Sequence, residues 1–210
     1  MSDGYQYDVF ISYLHTDPNG KEATPSIWMR NYFYPELQRW LPHYVPPGYQ
    51  THVFLDDSSI QLGTERPLAL RQALQTSRCL LAVLSAQYFG SPWCLAEWKT
   101  MQEREKVLGL RTQERPSGLI YPVMFSGKEF FPNTVLTMQM KDLRQFAATY
   151  PAFKNSSMYG SFQKAIREVC EDLSKMILEA PPWDKNWPVV IPEEEPINKS
   201  TERPGSMWLP

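Results

Sequence analysis

Four short apolar runs, separated by polar and helix-patterned stretches, constrain this fold more than any other feature of the chain. They are Asp8-Val9-Phe10-Ile11-Ser12, His52-Val53-Phe54-Leu55-Asp56, Cys79-Leu80-Leu81-Ala82-Val83-Leu84-Ser85 and Leu119-Ile120-Tyr121-Pro122-Val123-Met124-Phe125. Strict alternation would mark strands with one solvated face. Near-continuous apolar runs of strand length instead mark strands buried on both faces, as in a parallel sheet. A weaker fifth strand is expected over residues 135–140. Pro122 is out of character in the fourth run, because it removes a ladder donor.

The intervening segments carry helical spacing. Phe33, Leu37, Trp40 and Leu41 recur after a first segment from Ser26, with Pro35 expected to kink or restart the helix. Residues 66–76 place Leu70 and Leu74 on one face. Ser91-Pro92 is a helix start: serine can cap and proline suits the first helical position. That helix runs on through Trp93, Glu97 and Met101. Phe162, Ile166, Val169, Leu173 and Met176 form the clearest stripe. Strands and helices in alternation argue a doubly wound α/β fold. Ligands in such sheets bind at the carboxyl ends of the strands, here residues 12–17, 56–63 and 85–97.

Composition narrows the function. A net charge of −2, with both signs interspersed, gives no basic face for nucleic acid. The longest apolar stretch, residues 79–84, is too short to span a bilayer, and the first residues show no secretory pattern. The expectation is a cytoplasmic protein with no membrane contact. Cys79, Cys94 and Cys170 are odd in number and far apart, so neither a disulfide framework nor a metal cluster is expected. After residue 180 the chain turns acidic and proline-rich. The expected division is a domain over residues 1–180 and an extended tail over 181–210, its first part pinned by Trp183 and Trp187 and the rest disordered.

Three segments together resemble the sequence boxes of TIR (Toll/interleukin-1 receptor) domains. Tyr7-Asp8-Val9-Phe10-Ile11-Ser12-Tyr13 resembles the first box. His52 to Asp57 with Ile60-Gln61-Leu62-Gly63 resembles the second strand and its loop. Ser77 to Ser85, followed by Tyr88-Phe89-Gly90-Ser91-Pro92-Trp93-Cys94-Leu95-Ala96-Glu97-Trp98, resembles the third strand and the helix bearing the family's catalytic glutamate. The resemblance spans residues 5–179, and its strength lies in the boxes jointly, in order and spacing. It implies a flavodoxin-like three-layer fold around a five-stranded parallel sheet. It also implies one of two roles: cleavage or cyclisation of NAD⁺, as in many bacterial and plant members, or assembly with other TIR domains without turnover. Fold does not choose between them.

Cleaving the nicotinamide–ribose bond needs a carboxylate near the ribose to stabilise developing positive charge, and an aromatic wall for the nicotinamide. Glu97 and Trp93, four residues apart on one helix, share a face. In NAD⁺-cleaving members the matching glutamate is catalytic and the matching tryptophan lines its pocket. The plainer alternatives are a solvated helix carboxylate for Glu97 and a core anchor for Trp93. Tyr13 and Phe10 fall where family members contact the nucleotide, with core packing the alternative for Phe10. Leu14 departs from one NAD⁺-cleaving relative, which has arginine there. Gln61 is a further substrate-contact candidate. Ile60, Leu62 and Gly63, within the 58–67 loop, are expected to mediate contacts between TIR domains, although a tight turn alone would explain Gly63.

Asp56-Asp57 suggests a Mg²⁺-binding phosphoacceptor site, but Asp17 lies too late for a second acidic cluster, so turn formation explains the pair better. Arg78 either reaches the site or caps the preceding helix. His15, His43 and His52 form no visible triad, and Cys94 reads as buried helix material. Taken together, the expectation is an NAD⁺ glycohydrolase or cyclase with no metal or cofactor, NAD⁺ being the substrate. It would act in bacterial immune or effector signalling and be activated by assembly. The alternative is a scaffold that binds other TIR domains, and the tail could dock a regulatory protein.

Overall fold

Each of the four apolar runs forms a strand in the computed structural model, which describes residues 4–55 and 66–192. The strands are β1 (Tyr7–Tyr13), β2 (Val53–Phe54), β3 (Ser77–Leu84) and β4 (Ile120–Met124), joined by β5 (Lys141–Asp142). All pair in parallel, in the order β2-β1-β3-β4-β5. That order, reversing direction of growth between β1 and β3, is the flavodoxin-like arrangement, with its ligand crevice at the switch between those two strands.

Parallel neighbours require crossovers, and helices supply them on both faces. They are α1 (Thr24–Trp28), α2 (Tyr34–Trp40), α3 (Arg66–Gln75), α4 (Pro92–Val107) and the short α5 (Asn133–Leu136), and α6 (Ser157–Leu178) follows the last strand. Alternate strand residues feed two apolar clusters. Val9, Ile11, Leu81 and Val83 pack with Trp28, Phe33 and Leu37, and with Phe162, Ile166, Val169 and Leu173 of α6. Phe10, Leu80, Ala82 and Leu84 pack on the other face with Leu70 and Leu74 of α3 and Trp98 and Met101 of α4. The three-layer sandwich follows from strands that are apolar on both sides.

Both prolines inside elements are accommodated. Pro35 does not break its helix. A π-helical turn, Met29–Phe33, joins α1 to α2 and absorbs the missing donor, with Pro35 in the first turn of α2. Pro122 stands opposite Ala82 in the β3–β4 ladder. Phe125 N–H donates to Leu84 O on the β3 side, so by alternation the donor missing at Pro122 faces β5. The β5 ladder pairs Val123 and Met124 and leaves Pro122 outside it.

The fifth strand does not occupy residues 135–140. Val135 is buried within α5, and the strand is the polar pair Lys141–Asp142. A two-residue edge strand is set by backbone pairing rather than by apolar pattern, and its charges, with Lys141 paired to Glu168 and Asp142 to Arg144, suit an edge.

Arg78 also departs from expectation. It lies at the amino end of β3, where its Nε donates to Asp8 at 3.1 Å and its guanidinium covers the Tyr5 ring. The cation at the carboxyl end of α3 is Arg104, fully buried, which donates to Leu74 O and Ser77 O at 3.1 and 2.8 Å. Trp187 covers Arg104, its ring 4.2 Å from the guanidinium, and packs against Tyr5. Trp183 donates to Gln75 O, and Val190 N–H donates to Thr100 Oγ1 at 2.8 Å. The first part of the tail is thus strapped along α3 and α4 by both tryptophans. Residues 193–210 lie outside the described part of the chain.

Trp187 is only 6% exposed, so Trp187→Ala should lower the unfolding free energy by about 3 kcal/mol in urea titration. An unchanged midpoint would show that the strap adds nothing to stability.

Candidate functional site

Where β1 and β3 end, the chain opens into a cleft of about 680 Å³. Its walls are the loop after β1 (Leu14 to Pro18), Ala86 and Gln87 after β3, Pro67 and Leu70 of α3, and the first turns of α4. Each wall is fixed locally. Asp17 Oδ1 accepts the backbone N–H groups of Asn19 and Lys21 at 2.9 and 2.8 Å, bracing its own loop, so its carboxylate serves a turn. Ser91 caps α4, accepting Cys94 N–H, and Pro92 occupies the first turn. Gly127, in the left-handed region at φ 68°, lets the loop after β4 close on Ala86, where a Cβ would fall 2.5 Å from the Ala86 Cβ.

Glu97 and Trp93 both line this cleft from α4, as their four-residue spacing requires. Trp93 is 39% exposed, so it walls the cleft instead of anchoring the core. Glu97 is 9% exposed and therefore not a solvated helix carboxylate. A carboxylate so deeply set needs donors. Ser12 of β1 supplies one, its hydroxyl donating to Glu97 Oε2 at 2.5 Å. Tyr88, fully buried in the 3₁₀ turn Tyr88–Gly90, lies 2.6 Å from Ser12 Oγ. Burial, with smaller contributions from Cys94 and Glu97, pushes the Tyr88 phenol well above its ordinary range, so it keeps its proton.

Tyr13 borders the cleft, but its side chain is 1% exposed and stacks on His15, ring centroids 4.1 Å apart. His15, half-buried, is the more accessible aromatic of the two. Phe10 is not brought to the cleft. It lies in mid-strand on the face opposite Tyr13's and stacks on Phe54 at 4.9 Å, so its core alternative holds. Strand alternation explains the split: Phe10 and Ser12 share a face, and Ser12 is the one level with α4. Gln61, Ile60, Leu62 and Gly63, with Asp56 and Asp57, lie outside the described residues. Ser12, Tyr88 and His15 belong to the candidate site, and the sequence reading gave none of them a role in it. Ser12, a polar residue ending an otherwise apolar run, was the available signal.

Cys94 lines the cleft floor, its thiol donating to Tyr13 O and tying α4 to the end of β1. Burial, then the Glu97 carboxylate, pushes that thiol far above the usual cysteine range.

A doubly wound parallel sheet with an acid and an exposed aromatic at its switch-point cleft defines a flavodoxin-like α/β fold with a candidate ligand site. The sequence profile of the TIR domain family matches residues 38–152, more than half of the chain, and the chain belongs to that family. Among solved structures, the TIR domains in the activated Roq1 resistosome directly recognizing the pathogen effector XopQ are 24% identical, with 83% of this chain and 86% of that chain covered and a TM-score of 0.39. The TIR domain of the Toll-related receptor TRR-2 from the lower metazoan Hydra magnipapillata is 19% identical over 76% of this chain and 98% of that chain, with a TM-score of 0.42.

All three cysteines are buried, and burial raises each thiol, Cys170 to about 12. None should react with a maleimide in the native protein near neutral pH, and all three should react in denaturant. Rapid native labelling of Cys94 would show that the cleft opens down to α4 in solution.

Proposed function

We propose that this TIR domain cleaves NAD⁺ at the cleft between β1, β3 and α4, with Glu97 as the catalytic residue. The observation that supports this most is the pairing of a nine-tenths-buried, hydrogen-bonded carboxylate with the exposed face of Trp93 in one cleft. In the reaction the bond between ribose C1′ and the nicotinamide nitrogen breaks, and its electron pair stays on nitrogen, giving neutral nicotinamide. The Glu97 carboxylate stabilises the positive charge that develops on the ribose. Water adds its oxygen to C1′ and loses a proton, giving ADP-ribose. If a nitrogen of the adenine attacks instead, the product is a cyclic isomer. Trp93 and the ring of His15 supply flat surface for the nicotinamide.

Uncontrolled depletion of NAD⁺ would harm the cell that makes the enzyme. The reading therefore includes activation by assembly with other TIR domains through the 58–67 loop, a regulatory protein docked on the tail, and a cytoplasmic role in bacterial immune or effector signalling. Among the described residues no helix is long and apolar enough to cross a membrane.

Concentrated protein should release nicotinamide from NAD⁺, and Glu97→Ala should lose at least a hundredfold in kcat, roughly the value of a preorganised charge-stabilising group. Trp93→Ala should raise KM more than it lowers kcat. If the parent shows no turnover even when crowding forces assembly, the protein is a scaffold for other TIR domains. Equal turnover by parent and Glu97→Ala would place the site elsewhere.

A further inference from the structure

Glu97 does not stand alone in the wall of the cleft. Ser12 has one hydroxyl proton, and that proton is directed to Glu97 Oε2. Ser12 Oγ must therefore accept at its 2.6 Å contact with Tyr88, and Tyr88 is the donor. The result is a directed chain, Tyr88 O–H to Ser12 Oγ and Ser12 O–H to Glu97 Oε2, running from a turn after β3 through the end of β1 to α4. Its two donors are out of water: Ser12 is 1% exposed, and the Tyr88 ring is enclosed by Phe89 and Trp98.

We infer that Ser12 and Tyr88 are positioning residues that hold the Glu97 carboxylate ionised and aimed into the cleft. This rests on the reading of Glu97 as the catalytic group. A carboxylate in a low-dielectric wall is disfavoured as the anion, and a hydrogen bond donated to it restores the charged form and fixes its rotamer. The chain is polarised by its own arrangement: Ser12 donates more strongly to Glu97 because it accepts from Tyr88. Tyr88 can play this part because burial keeps its phenol protonated. Neither residue touches the cleft space, since neither is among its lining residues, so both act through Glu97. Among the described residues, the other titratable groups lining the cleft and adjoining crevice with Glu97 are Tyr13 at the end of β1, His15 and Asp17 from the loop after it, Arg71 of α3, and Cys94 on its own helix.

The test compares Ser12→Ala, Ser12→Thr and Tyr88→Phe with the parent, using two readouts. One is the pH profile of kcat/KM for NAD⁺. The other is the carboxylate titration of Glu97, followed by carbon NMR on protein labelled at glutamate and assigned with Glu97→Gln. Ser12→Ala should lower kcat tenfold or more at neutral pH with little change in KM. It should also move both the acid limb and the NMR midpoint upward by about one pH unit, the size expected when a charged acceptor loses a donor. Tyr88→Phe, which keeps the ring, should move both in the same direction by less. Ser12→Thr, which keeps the hydroxyl, should restore the parent profile. Lower stability with an unmoved midpoint in Ser12→Ala and Tyr88→Phe would overturn the inference and leave the pair as core packing. If the parent does not cleave NAD⁺, the functional reading fails, and the NMR midpoint still decides whether the chain sets the ionisation of Glu97.

Discussion

A carboxylate with little access to water has to be given donors by the protein, and for Glu97 that requirement joins the two halves of the site. Its partner Ser12 is on β1 and Glu97 itself is on α4, eighty-five residues apart. The hydrogen bond between them forms only if β1 is paired to β3 in its observed register, with Ser12 opposite Ala82, and if α4 begins where Ser91 caps it. A second tie, from the Cys94 thiol to Tyr13 O, fixes the same helix to the same strand one residue further on. The cleft is therefore a consequence of sheet register and helix start together, not of a loop that happens to close over it.

Burial on both faces makes that register strict. β1 feeds one apolar cluster with Val9, Ile11 and Tyr13 and the other with Phe10, and a slip of one residue would exchange the two sets. Ser12 follows the same rule and appears on the α4 face, the one polar side chain of β1 placed to meet Glu97. At the opposite end of the sheet Asp8 accepts Arg78, Tyr49 and the backbone of His52, and so fixes β1 between its two neighbours there. Polar groups thus lock both ends of a strand whose middle is apolar.

The apolar runs made the four main strands legible in the sequence, because burial on two faces leaves a dense pattern. The fifth strand was misplaced because an edge pair of Lys141 and Asp142 carries no such pattern. Trp93 and Glu97 were legible through helical spacing and a matched family box. Phe10 was read as a ligand contact, with core packing the alternative, because it falls where family members contact the nucleotide. Strand alternation sends it to the other face, and mid-strand depth keeps it from the cleft. Tyr88 and Ser12 fall within the matched family boxes, but their role comes from a contact across seventy-six residues, which one sequence does not display. The strap was visible as two tryptophans. What they cover, a guanidinium closing the end of α3, needed three dimensions.

The central claim is that the cleft holds NAD⁺ with its reacting end at Trp93 and Glu97. An NMR titration of the Glu97→Ala protein with NAD⁺ tests it most directly, since substrate should stay intact there. The account predicts saturable shifts of the Trp93 indole, the His15 ring and the amides of residues 85–97, with α6 and the amino ends of the strands unmoved. Shifts confined to another surface, or none at millimolar NAD⁺, would contradict it.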